Sequence, residues 1–389
     1  MTARRYSFAL LAYSFAAIMI GTTMPAPMYA VYSDRLHFTV LTTTVIFAIY
    51  AGGVLLALLV FGSWSDAIGR RPVLLAGAAC ALASGGVFLI ADSVPLLLIG
   101  RLLSGLSAGL FTGTATAAII EAAPPSWRDR APAVATIANI GGLGTGPLLA
   151  GVLVQYAPEP LRLSFVVHLV LVVLATAAVL MVPETSSRTG RPRLQRLSIP
   201  PQVRPAFIIA ALAGFAGFAV TGLFTSVAPA FVAEVIGISN HALAGLTAGS
   251  IFIASAVAQF AAARMPPRRA IALGSAVLIV GMVFLAAALH ASSLPALVAA
   301  SVVSGAGQGI SFSRGLAWIV ELAPSERRAE VSSTYFVVAY VAVALPVIGA
   351  GFAAQAWGLR IAGVTFAVAI GVLAASSLAA ILWDESRTG

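Results

Sequence analysis

Twelve apolar stretches, parted by short polar loops, run through this 389-residue chain. A run of about 20 apolar residues is what an α-helix needs to cross a bilayer. In lipid each backbone N–H and C=O must find its partner within the segment, so stretches of this kind fold as helices. Bounded by charge, proline or glycine clusters, the runs fall at 7–30, 40–61, 72–91, 94–120, 131–156 and 161–182, then at 205–232, 241–263, 270–290, 294–320, 330–356 and 360–382. Only 9% of the residues are charged, against about 25% in soluble domains. The expected fold class is an all-α membrane protein of twelve transmembrane helices. The start, Arg4-Arg5 followed by an apolar run, superficially resembles a secretory signal. Eleven further spans and no small-residue cleavage site make it a retained first span.

Charge placement orients the spans. The chain has no Lys, and of its 22 Arg seventeen lie in loops on one side, three on the other (Arg35, Arg162, Arg360) and two within spans (Arg101, Arg314). This is the positive-inside bias. The net charge of +9 therefore reports topology and implies no nucleic-acid partner. Arg4, Arg5 and Arg387 put both termini in the cytoplasm. Cys80 is the single cysteine, so neither an internal disulfide nor a Cys-based metal site can form. No metal or cofactor is expected.

The spans divide six and six. An N-terminal bundle covers 1–182, a basic, proline-containing cytoplasmic linker 183–204, and a C-terminal bundle 205–389. A short surface helix is expected at 193–199. A shift of 200 residues overlays 91–155 on 291–355 without a gap. Ser104-Gly105 meets Ser304-Gly305, Gly109 meets Gly309, Glu121 meets Glu321, Pro124 meets Pro324, Arg128 meets Arg328 and Gln155 meets Gln355. Polar and proline matches in register mark a duplication. With an even number of spans each, the copies share one orientation, and a substrate site is expected between them near the midplane.

The loop at 62–71 carries Gly62, Asp66, Gly69, Arg70 and Arg71. Its glycines permit a tight turn and close helix approach. Asp66 can pair with an Arg or cap a helix N-terminus. The equivalent loop at 258–269 holds three Arg and no carboxylate. Together with Arg101, Gly105 and Gly109 in span four, and Gly142, Gly146, Pro147 and Gly151 in span five, this loop resembles the signature set of the major facilitator superfamily. The span-five residues resemble the Gly-Pro motif of the drug–proton antiporter branch. The resemblance implies a fold of two pseudo-symmetric six-helix bundles and an efflux transporter in a bacterial inner membrane. It also implies a small-molecule substrate, proton antiport, a monomer in the lipid bilayer, and a multidrug-resistance type of role. In that reading 62–71 is a cytoplasmic gating latch, Arg101 takes part in proton transfer or charge balance, and the span-five motif is a hinge that seals against leakage. An ordinary packing seam is the alternative for span five.

Candidates for the cavity wall are Arg314, Gln308, Ser311 and Trp318, which share a face of span ten, with Tyr50, Asn139, Phe224, Tyr335 and Tyr340. Arg314 either binds a carboxylate or polar substrate or pairs with helix-end carbonyls. His168 reads as a packed, hydrogen-bonded residue. Glu121 and Glu321, each seven residues before an Arg, suggest acid–base networks. Met24-Pro25-x-Pro27 should bend span one near its outer end. No Asp or Glu lies mid-span, so a lipophilic cation has no buried counter-ion, and a neutral or anionic substrate fits better. The leading reading is export of small organic molecules by alternating access. A facilitator or proton symporter for a sugar or organic acid is the alternative. An enzyme would need a metal or nucleophile constellation that the four His and one Cys do not form.

Overall fold

A computed structural model describes residues 2–188 and 191–388. The side chains of Arg4 and Arg387 lie outside the described set. All regular structure among the described residues is helical, and twelve helices are long and apolar enough to cross a membrane. They run Arg5–Leu36, Val40–Phe61, Arg70–Leu89, Val94–Ala122, Pro125–Tyr156 and Leu163–Met181, then Pro201–Ser226, His241–Ala262, Pro267–Ala291, Leu294–Leu322, Ser325–Trp357 and Leu359–Trp383. They are called spans one to twelve below.

The chain divides into two units, Met1–Leu36 with Ile49–Gln195, and His37–Ala48 with Arg196–Gly389. In the first, span one packs on spans four, five and six, and span three on spans four and six. In the second, span seven packs on spans ten, eleven and twelve, and span nine on ten and twelve. These are the same pairings six spans apart, so the duplicated sequence has kept its helix neighbours. The glycines show how. A Cβ on Gly105 would strike the carbonyl of Tyr50, and one on Gly109 would meet Ala57 and Val54. In the second unit Gly305 closes on Ile251 and Gly309 on Ser255 in the same way. Small residues let membrane helices approach backbone to backbone.

Span one is broken where its prolines withhold N–H groups. The α-helix Thr2–Thr23 ends, a 3-10 turn covers Ala26–Met28, and a new helix runs Tyr29–Leu36. Span seven breaks at the matching end: helix Arg204–Ser226 is followed by Ala228–Ala230 and a π-turn at Phe231–Val235, beside Pro229. That second break has no counterpart among the sequence expectations. The helix expected at 193–199 does not form. Residues 191–200 are non-helical and only Pro201–Val203 makes a 3-10 turn. Pro192, Pro200 and Pro201 explain this, because proline disfavours helix both at its own position and at the residue before it.

Candidate functional site

The polar loop between spans two and three is a short helix, Trp64–Ile68, closed by Gly69 at φ +111°. Only glycine enters that region freely, and a Cβ there would also run into the Glu184 carboxylate. Arg70 is the hub of the site. Its Nη1 reaches Asp66 at 2.6 Å and donates to Ser65 Oγ at 2.7 Å. Its Nη2 and Nε donate to the two oxygens of Glu121 at 2.8 and 3.3 Å. This fork-on-fork geometry is the stronger form of the Arg–carboxylate pair. Thr185 Oγ1 donates to Glu121 at 2.7 Å, and Arg71 Nη2 donates to the Leu180 carbonyl at 2.7 Å. Glu121 is thus held by Arg70, not by Arg128 seven residues on, as the sequence spacing suggests. Spans three and four pack directly on one another and bring the two ends together.

The carboxylate that caps a helix in this unit is Glu184, a residue the sequence does not single out. It accepts from the backbone N–H of Arg70 at 2.8 Å and of Arg71 at 3.2 Å, the first turn of span three, and from those of Thr185 and Ser186 at 3.0 Å. A carboxylate is favoured there by orphan N–H groups and the helix dipole. Burial pushes the Glu184 carboxyl up, but these N–H groups outweigh burial and hold it below its ordinary value. Arg188 stands 3.6 Å away. The linker continues over the loop. Ser63 Oγ donates to the Arg193 carbonyl at 2.6 Å and accepts from its N–H at 3.0 Å, while Gln195 N–H donates to the Leu59 carbonyl at 2.8 Å. The linker is therefore a strap bound to the loop at Glu184, Arg193 and Gln195. Gly62 lies beneath Gln195, with its Cβ position against Leu58.

Arg101, on span four, is 1% exposed. Its Nη1 donates to the Thr22 carbonyl at 2.6 Å, just before the break in span one, and its Cζ lies 4.6 Å from the centre of the Tyr50 ring. Span five presses on the same stretch of span one. Cβ atoms on Gly142 and Gly146 would strike the carbonyls of Ala16 and Ile20, and Thr23 Oγ1 donates to the Leu143 carbonyl at 2.7 Å. Pro147, Gly146 and Gly151 are buried in the continuous helix Ala131–Tyr156. In the second unit the small residue sits on the other partner: Gly222 of span seven closes on the Val343 carbonyl and Val347 of span eleven. His168 is buried with Nε2 3.2 Å from the Ala17 carbonyl, its ring filling the space that Gly21 leaves.

The cavity candidates of span ten do not form one open face. Gln308 is buried and accepts from Ser255 Oγ at 2.7 Å, and Gln259 donates to the same hydroxyl at 3.2 Å. Ser311 is buried against Gly274, and Trp318 lies under the Arg268 guanidinium at 5.5 Å. Tyr335 is buried, donates to the Ala210 carbonyl at 3.1 Å and stacks on Phe312 at 5.6 Å. Tyr50 and Phe224 are also buried, whereas Asn139, Tyr340 and Arg314 are half-buried. Arg314 Nη1 donates to the Ala263 carbonyl at 3.0 Å, at the end of span eight. Of the two roles open to it, the geometry favours the helix-end cap. Helical spacing fixes which residues share a face but not which neighbour covers that face.

The family model described as Major Facilitator Superfamily matches residues 9–345 and 210–388. No curated protein matches the sequence. Among solved structures, a bacterial homologue of the human lysosomal transporter Spinster, crystallised inward-facing and unoccupied, is similar over 97% of both chains with a TM-score of 0.74. At 17% identity that similarity speaks for the fold alone.

Proposed function

The chain belongs to the major facilitator superfamily of secondary transporters, and from that premise we propose that it exports small organic molecules from a bacterial cytoplasm by alternating access, driven by proton antiport. It works as a monomer in the inner membrane, with both termini in the cytoplasm. The observation that carries the reading is the span-five seam. Gly142 and Gly146 press on span one just before its break, and their copies at Ala342 and Pro346 are not both small. Glycines carried on span five, where the second unit places its small residue on span seven instead, fit the antiporter-like motif, which by resemblance biases transport toward export.

The 62–71 loop supports alternating access. Asp66, Arg70, Glu121 and Glu184 form one charge cluster at the cytoplasmic ends of spans three and four. Such a cluster holds by charge-assisted hydrogen bonds that geometry can make or break as a unit, which is what a gate requires. Gly62, Gly69 and Arg71 shape and anchor it. Arg101 braces the broken span one. Asn139 and Tyr340, half-buried on spans five and eleven, are the positions assigned to solute contact along the walls of their own spans, with Arg314 a helix-end cap.

The test is solute movement in proteoliposomes under an imposed pH gradient. Antiport predicts that solute runs against the proton flow. Accumulation in the direction of the protons would favour the symporter, the second reading, which the lack of a mid-span carboxylate keeps in play.

A further inference from the structure

In the first unit the arginine pair that opens span three is held internally: Arg70 by Asp66 and Glu121, Arg71 by the Leu180 carbonyl. The equivalent loop of the second unit, between spans eight and nine, has Arg264, Arg268 and Arg269 and no carboxylate. Span ten fixes this loop at two points, one helical turn apart on its own length. Arg314 donates to the Ala263 carbonyl at 3.0 Å, and the Arg268 guanidinium lies 5.5 Å from the centre of the Trp318 ring. Ala262, Met265 and Ala270 pack in one cluster with Ile310 of span ten, so the two helix ends are drawn together. Arg264 and Arg269 are the chain neighbours of the two fixed points. Both are exposed, and among the described residues neither makes a hydrogen bond or an ion pair. Each heads a stripe of exposed apolar side chains. On span eight Ile253, Val257 and Phe260 lead to Arg264, and on span nine Val280 and Leu273 lead to Arg269. Steps of three, four and seven residues keep each stripe on one helix face. Each stripe covers eleven residues from its far end to its arginine, about 16 Å of helix. That is roughly half the hydrocarbon thickness of a bilayer, or one leaflet.

We propose that this end of spans eight and nine binds one anionic glycerophospholipid, its headgroup phosphate between Arg264 and Arg269 and its acyl chains along the two stripes. The site goes beyond the transport reading and needs neither its direction nor its coupling. Guanidinium groups suit phosphate because they offer several N–H donors and a fixed charge in one plane. The apolar stripes lie on helices long and apolar enough to cross the membrane, where acyl chains are what such a face meets. A free phosphate would meet the arginines and leave the stripes without a role. A zwitterionic lipid would cover the stripes, but it brings its own cation beside the phosphate. An anionic lipid matches both features. The first unit lacks such a place, since Arg70 already grips two carboxylates.

The experiment measures binding of phosphatidylglycerol, phosphatidylcholine or glycerol 3-phosphate to the purified full chain in a non-ionic detergent, by native mass spectrometry and thermal unfolding. A ligand that binds the folded state raises its melting temperature. The expected result is bound phosphatidylglycerol and a rise in melting temperature, with neither from the other two at the same concentration. Arg264→Gln and Arg269→Gln should each weaken phosphatidylglycerol binding roughly fivefold, and the double variant should weaken it further. Without lipid all three should melt with the wild type, because the side chains removed make no bond. The singles carry the test should the double variant fold poorly. Arg130→Gln/Arg327→Gln removes as much charge from two 3-10 turns and should bind the lipid as the wild type does. The proposal is overturned by equal binding of phosphatidylcholine, or by an unchanged phosphatidylglycerol affinity in the single variants. It is also overturned by an equal rise with glycerol 3-phosphate, which would mark a site for free phosphate. An equal loss in Arg130→Gln/Arg327→Gln would overturn it too, since net charge alone would then draw the lipid.

Discussion

Replacing Glu184 by Ala should loosen the start of span three and the adjoining linker residues that it ties there. The side chain accepts from Arg70 and Arg71 N–H at 2.8 and 3.2 Å and sits at the positive end of a 20-residue helix. Losing a capping acceptor costs about 0.5–2 kcal/mol, and losing a carboxylate from a helix N-terminus about 0.3–1 kcal/mol. Taken together, Glu184→Ala should cost about 1–2 kcal/mol locally, which is roughly a 5- to 30-fold rise in amide exchange. Glu184→Gln keeps an acceptor and loses only the charge, so its effect should be about 0.3–1 kcal/mol. The sign with pH follows from the depressed carboxyl. A group whose folded value lies below its unfolded one stabilises above the unfolded value and loses that contribution as pH falls through the folded one. The gap between wild type and Glu184→Ala should therefore hold from neutral pH to about 4.3 and close below it. Hydrogen exchange read by mass spectrometry on peptides covering 66–75, in nanodiscs, measures this. Unchanged exchange there, or a rise spread evenly over the first unit, would refute the cap.

If the 62–71 loop gates transport as proposed, Asp66→Asn should slow conformational cycling more than it weakens solute binding, because it removes the Asp66–Arg70 ion pair; stopped-flow transport set beside equilibrium binding checks it. Gly105→Ala must push against the Tyr50 carbonyl and should lower stability by about 1–3 kcal/mol, whereas Gly86→Ala, which meets nothing within 4 Å, should be tolerated; paired thermal melts decide. Arg314→Ala frees the Ala263 carbonyl and should cost about 1 kcal/mol of stability with KM little changed; a large rise in KM at full stability would instead make it a solute contact.

Much of the fold is legible in the sequence because membrane helices announce themselves by length and apolar content, and because the copies keep Glu121, Pro124 and Arg128 in register with Glu321, Pro324 and Arg328. Local chemistry carries the rest of the outline: Pro25 and Pro27 mark the break in span one, though Pro229 does not stand out in the same way in span seven. The polar loop between spans two and three stands out by its own ten residues. Its cap is not, since Glu184 lies 114 residues from Arg70, in a linker conspicuous only for its charge and prolines. Span ten misleads for a related reason. Gln308, Ser311 and Trp318 do share helical spacing, but Ser255, Gly274 and Arg268 cover them one by one. Nor does a sequence mark a backbone acceptor such as the Ala263 carbonyl that takes Arg314.

Proton-driven export, as proposed, is tested by lumenal pH in proteoliposomes of known orientation, read with an entrapped dye while solute is added on the cytoplasmic face. Antiport predicts that adding solute releases protons from an acidified lumen, at a rate cut by Asp66→Asn. Solute movement that leaves the gradient untouched, or that draws protons along with it, would contradict the account.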